Sequence, residues 1–266
     1  MGFTSLYTAA TGMQAAEFKL DVTANNMANA GTTGFKRSRA NFEDSFYRYF
    51  KLPGAQDSQG NQTAVGTHIG LGTQLASTQI DHSQGALLQT NGPLDLAING
   101  DGFFQIQQGT QTFYSRAGNF TKNANGQIVV GSADLGRLLV PNLTIPQDAL
   151  EISITGDGTV AVRQPGQTTL NNLGQIQLVK FVNPQGLIQV GDNLYAGSDA
   201  SGQPIQGIPG QDGLGTLQQS FLEQSNAEPV QELVDLIHTQ RNFELNSQVI
   251  QASDQQLQVV ANIRRY

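Results

Sequence analysis

Apolar side chains recur at every seventh position near both ends of the chain and lose that rhythm between them. Leu6, Met13, Leu20 and Met27 form one row, and Leu236, Phe243, Ile250 and Leu257 form the other. Seven-residue spacing keeps a side chain on one seam of an α-helix, as in helices that wind around each other. The spacing therefore predicts that the two ends pair. The first helix is expected over about residues 4–30, with Thr4 or Ser5 at its cap and Gly31 and Gly34 stopping it. Ala9, Ala10, Ala16 and Ala24 flank its seam and allow close approach of a neighbour. The last helix is expected from Pro229, a good first-turn residue, to about Ile263. It carries a second apolar row of Val230, Val234, Ile237, Leu245, Val249, Ala252, Val259 and Ile263, broken once by Arg241.

The middle reads differently. From about residue 76 to 220, short apolar runs alternate with turn signals. Leu94, Leu96 and Ile98 precede a turn at Asn99-Gly100-Asp101-Gly102, and Phe103-Phe104-Gln105-Ile106 follows it. Asn125-Gly126, Gly156-Asp157-Gly158 and Asn183-Pro184-Gln185-Gly186 mark further turns. A compact antiparallel barrel or sandwich is expected. Residues 35–75 read as a long loop, with an aromatic cluster of Phe42, Phe46, Tyr47, Tyr49 and Phe50 that anchors one end by docking on a helix. The predicted fold class is α+β: terminal helices paired as a coiled-coil-like stalk, a central antiparallel β domain, and a long loop between them. The expected domains are 1–34 with 225–266 (helical), 35–75 (loop or linker) and 76–224 (β-rich).

A two-helix stalk hides one stripe on each partner, so a second stripe is left over. Each buried Leu, Ile or Phe contributes about 1.5–3 kcal/mol, so four or five left in water forfeit roughly 6–15 kcal/mol, comparable to a domain's stability. Either the β domain folds back over that stripe, or identical copies cover it. A heterologous contact between copies that does not close builds a filament or tube.

Composition narrows the function classes. Of 266 residues only 13% are charged, against about 25% in an ordinary soluble chain. The net charge of −7, from 14 basic and 21 acidic residues, argues against nucleic acid as a partner. No cysteine is present, so disulfides, zinc-thiolate sites and thiol nucleophiles are excluded. No apolar run reaches the roughly 18 residues that span a bilayer, no basic residue precedes Lys19 and no continuous apolar segment follows the start, so neither membrane insertion nor a cleaved signal is expected. The three histidines, His68, His82 and His238, lack metal-ligand spacing. Asp95, Asp101, Asp157 and Asp192 could in principle pair as glycosidase acids, but three of them lie beside Gly at turns, where Asp is common. Neither a catalytic residue, a metal site nor a cofactor is expected.

Three stretches carry a resemblance. Ala24-Asn25-Asn26-Met27-Ala28-Asn29-Ala30-Gly31-Thr32-Thr33-Gly34-Phe35-Lys36-Arg37 resembles the signature of the bacterial flagellar axial proteins, which form rod, hook and hook-associated structures. Ser225-Asn226, Glu232-Leu233-Val234, the run from Gln240 to Ser247 and Asp254-Gln255-Gln256-Leu257 are similar to the family's C-terminal pattern. Asp95 to Phe104 and Tyr114-Ser115-Arg116-Ala117-Gly118 resemble its β-domain motifs. Within the family the distal-rod type fits best, because the loop with Leu52-Pro53-Gly54-Ala55-Gln56 resembles an insertion of distal rods linked to a straight, stiff shaft. Two departures are Asn242-Phe243, where Ala-Tyr is frequent, and the extension Arg264-Arg265-Tyr266.

The resemblance implies a structural subunit of the flagellar distal rod. It would be exported through the flagellar type III apparatus without a cleaved signal peptide, then polymerise into a hollow helical shaft crossing the periplasm and transmit torque from motor to hook. Its implied partners are itself, the proximal rod proteins, the hook protein and the surrounding ring (bushing) proteins. A proximal rod or hook-type subunit, or a stalked β-domain binding module, stands as the alternative. Within the signature, Asn25, Asn26 and Asn29 either bond backbone of adjacent subunits or cap locally. Gly34 is expected to meet a backbone requirement, and Phe35 to dock between loop and helix.

Overall fold

The computed structural model describes residues 2–54, 56, 65–131, 136–167 and 169–263; Ala55 of the expected insertion and the Arg264-Arg265-Tyr266 extension lie outside the described residues. The chain divides into two compact units, one of residues 1–27, 38–79 and 229–266, the other of residues 28–37 and 80–228.

The first unit holds both helices. Helix α1 covers Gly2–Ala28 and α2 covers Pro229–Ile263. At 1.5 Å per residue they are roughly 40 and 52 Å long. They run antiparallel: Ser5 Oγ lies 3.4 Å from Ser253 Oγ, and Asn26 Nδ2 donates to Glu232 Oε2 at 3.3 Å. Between these points, a Cβ on Gly12 would stand 2.9 Å from the Asn246 amide. Steps of seven or fourteen residues along α1 are matched by equal steps back along α2, so the contact keeps the heptad period.

The residues that meet are not the expected ones. The rows Leu6, Met13, Leu20, Met27 and Leu236, Ile250, Leu257 are half-buried, and Phe243 is 38% exposed. The deeply buried positions are Ala9, Ala16, Thr23 and Asn26 on α1 and Glu232, Thr239 and Ser253 on α2. Small side chains let two backbones approach closely. Large apolar ones, displaced to the neighbouring heptad stripe, are left partly outside.

The stretch expected as an extended loop is instead largely sheet. Ser38–Asp44 pairs with Thr73–Ile80, and Tyr47–Lys51 pairs with Thr67–Gly70. The glycines that suggested interruption have structural uses. Gly70 stands opposite Tyr47 in a ladder, and Gly72, at φ +110°, lies where a Cβ would strike the Thr11 hydroxyl of α1. Both faces of Tyr47–Lys51 are exposed, so the period-2 burial signal of a strand is missing there. Of the aromatic cluster, Phe42 is half-buried and lines a groove with Gly12, Ala16 and Leu245, whereas Phe46, Tyr47, Tyr49 and Phe50 are exposed.

The second unit is built on a nine-stranded antiparallel sheet. Its central strand, Phe103–Gln108, pairs with Gln111–Ser115, Arg137–Leu139 and Leu178–Lys180. A three-stranded sheet of Glu151–Ile154, Thr159–Arg163 and Asn171–Gln175 lies beside it in the chain. The Asn125-Gly126 and Gly156-Asp157-Gly158 turns each close a hairpin. The Asn99–Gly102 turn does not: Leu96–Asn99 pairs with Thr216–Gln219, so the chain changes sheets at that turn. Likewise Pro184–Gly186 forms a 3₁₀ turn between strands that pair elsewhere. Leu96, Ile98, Phe104, Ile106, Phe120, Ile128 and Leu139 belong to the main core, where Phe104 and Phe120 meet edge to face at 4.9 Å.

Phe104 is fully buried, so Phe104→Ala should destabilise the protein by about 3–5 kcal/mol. The expected outcome is a lower urea midpoint with an unchanged m-value.

Candidate functional site

The segments that carry the resemblance are far apart in sequence, yet three of them meet in the second unit. Gly34 starts the junction. Its φ of +68° suits glycine, and a Cβ there would stand 2.7 Å from the Ala117 backbone nitrogen. Its N–H donates to the Glu223 carbonyl at 2.8 Å. Gly118 is equally confined, because a Cβ would stand 1.6 Å from the Leu96 carbonyl oxygen.

Two residues beyond Gly34, the Lys36 side chain is completely buried. Its Nζ donates to Glu223 Oε1 at 2.6 Å and to the Ser83 carbonyl at 2.7 Å. The Gly85 N–H donates to the same carboxylate oxygen at 3.0 Å, and Arg116 Nη1 lies 3.5 Å from the other. Arg116 also donates through Nη2 to the Gly100 carbonyl at 2.7 Å, and its guanidinium stands 5.6 Å from the centre of the Phe103 ring. Burial lowers the pKa of Lys36, with the Glu223 carboxylate opposing that shift, and burial likewise lowers that of Arg116. Asn226 completes the knot. Its Oδ1 accepts from the Arg37 N–H at 2.7 Å, and its Nδ2 donates to the Asp81 and Ser83 carbonyls at 2.8 and 3.1 Å. Arg37 pairs with Asp81 at 3.3 Å near the surface.

His82 packs among these groups, its ring 5.7 Å from those of Phe103 and Tyr195. Burial, reinforced by the Lys36 and Arg116 charges, pushes its pKa down to about 4, so it is neutral at pH 7. Burial pushes the Tyr195 phenol up to about 12.

In the first unit Asn26 makes a second, smaller knot. Its amide accepts from the Ser38 N–H at 2.9 Å and donates to the Ser38 carbonyl at 2.8 Å, besides reaching Glu232. Asn26 is thus engaged inside its own chain. Asn29 accepts from the Thr32 hydroxyl at 3.2 Å, a local arrangement, and Asn25 is exposed. Phe35 is half-buried, and its carbonyl accepts from the Asn226 N–H at 3.4 Å. Leu52, Pro53, Gly54 and Gln56 are exposed.

The junction joins backbone to backbone, and among its described residues no nucleophile stands beside a base. The four aspartates considered as acids have separate partners. Asp95 accepts from Thr90, Asp101 lies near Lys180, Asp157 accepts from Thr159, and Asp192 pairs with Arg137. Among the described residues no cluster of three or more His, Asp or Glu is placed to hold a metal, and no helix is long and apolar enough to cross a membrane. Sequence reasoning passed over Lys36, Arg116 and Glu223 as individuals and weighed His82 only as a metal ligand. The available signal was charge inside apolar, Gly-rich motifs of a chain otherwise poor in charge.

Comparison with known proteins agrees with these motifs. Residues 6–36 match the family described as flagella basal body rod protein, residues 97–162 the flagellar hook protein FlgE/F/G D1 domain, and residues 218–263 the flagellar basal body rod FlgEFG protein C-terminal domain. The flagellar basal-body rod protein FlgG of Agrobacterium fabrum is 43% identical over 97% of this chain and 98% of its own length. That of Buchnera aphidicola subsp. Baizongia pistaciae is 42% identical over 96% and 97%. The flagellar hook protein FlgE of Treponema pallidum is 40% identical, but over only 47% of this chain and 27% of its own.

Glu223→Gln removes the one carboxylate between two buried cations. It should destabilise the protein by about 3–5 kcal/mol, read as a fall in the urea midpoint.

Proposed function

The chain belongs to the flagellar basal-body rod protein family of the FlgG type, and from that premise we propose that it is a structural subunit of the distal rod. Identical copies polymerise into a hollow helical shaft that transmits torque from motor to hook. The observation that carries this reading is the face of α2 left in water. Val230, Leu233, Val234, Ile237, Leu245, Val249, Val259 and Val260 are all exposed, Val230 by 76%. Covering half of these eight would contribute roughly 6–12 kcal/mol, comparable to the stability of a whole domain. A growing polymer needs such a surface.

In this reading α1 and α2 form a coiled-coil-like stalk. The polar stripe of Asn26, Glu232, Thr239 and Ser253 sets their register within one subunit. The apolar rows Leu6, Met13, Leu20, Met27 and Leu236, Phe243, Ile250, Leu257, together with the exposed row on α2, contact neighbouring copies. The subunit passes through the flagellar type III export apparatus and assembles in the periplasmic part of the basal body. It meets proximal rod proteins at one end, the hook protein at the other and ring proteins around it. The rod reading is preferred to the hook reading because rod relatives are matched along nearly their whole length.

Two experiments test the proposal. Val249→Asp places a charge on the exposed row, where surface substitutions alter stability by no more than about 0.5 kcal/mol. The purified variant should unfold as the parent does yet form no filaments under the electron microscope, and cells carrying it should not swim. Filaments of normal length would refute the proposed contact surface. Deleting residues 50–66 should leave a rod that forms but bends or breaks; straight, functional rods would remove the loop from the account.

A further inference from the structure

One cavity in the second unit borders the junction through Arg116. It holds about 190 Å³ and is bounded by His82, Asp101, Phe103, Arg116, Lys180 and Phe181, among others. We propose that it is a binding site for a small carboxylate, with the anionic group held by Arg116 and Lys180 and the carbon chain against the two phenylalanine rings.

Unmet hydrogen-bonding capacity is the first reason. Arg116 is only 4% exposed, yet its Nε has no acceptor. Buried donors in native proteins nearly always have acceptors. A carboxylate supplies acceptors only.

Charge is the second reason. Behind the cavity, Lys36 and Arg116 are buried with Glu223 as their sole buried carboxylate partner among the described ion pairs. That leaves one positive charge in excess. At the rim Lys180 lies 3.6 Å from Asp101, whose side chain is 75% exposed, and Lys180 Nζ also donates to the Gly213 carbonyl at 3.3 Å. So loose and exposed a pair contributes little, and an incoming carboxylate can take the place of Asp101. A buried anion gains more from the same cations.

Size selects among anions. Common ligand pockets hold about 300–1,000 Å³. This one has room for roughly six waters at about 30 Å³ each, which suits a group with a short carbon chain. Phe103 and Phe181 meet edge to face at 6.0 Å and offer apolar wall to that chain, unlike the surroundings an inorganic phosphate requires. Two sources share the chemistry, a free short-chain organic acid or the Asp or Glu side chain of a second copy. The inference rests on the second unit alone and does not depend on the rod reading.

The test uses the full-length protein and the imidazole NMR signal of His82, assigned by elimination with His68→Gln and His238→Gln, both at exposed positions. Propionate should move that signal saturably, while propionamide and inorganic phosphate should not. Lys180→Met should weaken propionate binding about two- to fivefold, the range expected for losing an exposed ion pair, without lowering the thermal midpoint. A dilution series without added acid separates the sources. A signal that starts at the bound position and moves on dilution, with propionate opposing the movement, identifies a second copy as the donor. A signal indifferent to protein concentration but responsive to propionate identifies a free acid. Absence of any saturable shift in both series, or an equal response to propionamide or phosphate, overturns the proposal.

Discussion

Two cations cannot leave water together unless an anion goes with them, and in this chain Glu223 is that anion. Taking a charge out of water costs several kcal/mol, recovered only when geometry and further hydrogen bonds are good. Here the Glu223 carboxylate receives Lys36 at 2.6 Å and the Gly85 N–H at 3.0 Å, with Arg116 at 3.5 Å. Its own backbone carbonyl accepts from Gly34. One residue therefore ties the segment that follows α1, the Arg116–Gly118 corner and the last strand before α2. A buried charge that is satisfied in only one arrangement penalises the alternatives strongly. Where the chain enters and leaves the second unit is defined by that requirement.

Glycine at 34 and at 118 serves the same end from the steric side. Both lie against backbone, of Ala117 and of Leu96. Any Cβ would push apart the segments that the ion pairs draw together. Asn226 then joins Arg37 to Asp81 and Ser83 with one side chain. The result is a joint of short range and high specificity, a suitable property for a subunit whose proposed task is to carry torque without yielding.

The helices of the first unit solve a different problem. A seam of large apolar residues would pair them tightly but would cover the rows of Leu6 and Leu236. The buried contact instead uses Ala9, Ala16, Thr23 and Asn26 against Glu232, Thr239 and Ser253. A polar residue in a helix seam specifies register, because sliding by one heptad leaves it without a partner. Asn26 does so twice, since it also reads both backbone groups of Ser38. The apolar rows are consequently half-buried or exposed, available to other molecules.

Much of this was legible in advance. The heptads at the ends, Pro229 at the start of α2 and the Asn125-Gly126 and Gly156-Asp157-Gly158 turns are local signals, because helix period and turn chemistry act over a few residues. The strands between 38 and 80 were not legible, since solvent on both sides of Tyr47–Lys51 removes the alternation that marks a strand. Nor was the stripe on which the helices meet. Sequence alone determined that each terminal helix repeats every seven residues, but neighbouring stripes of one helix share that period. Which stripe faces the partner depends on the combined volume across the gap, where Gly12 meets Asn246. The pairing of Lys36 with Glu223 across 187 residues was likewise decided only in three dimensions: a charge reveals its partner by distance in space, and separation along the chain carries no trace of it.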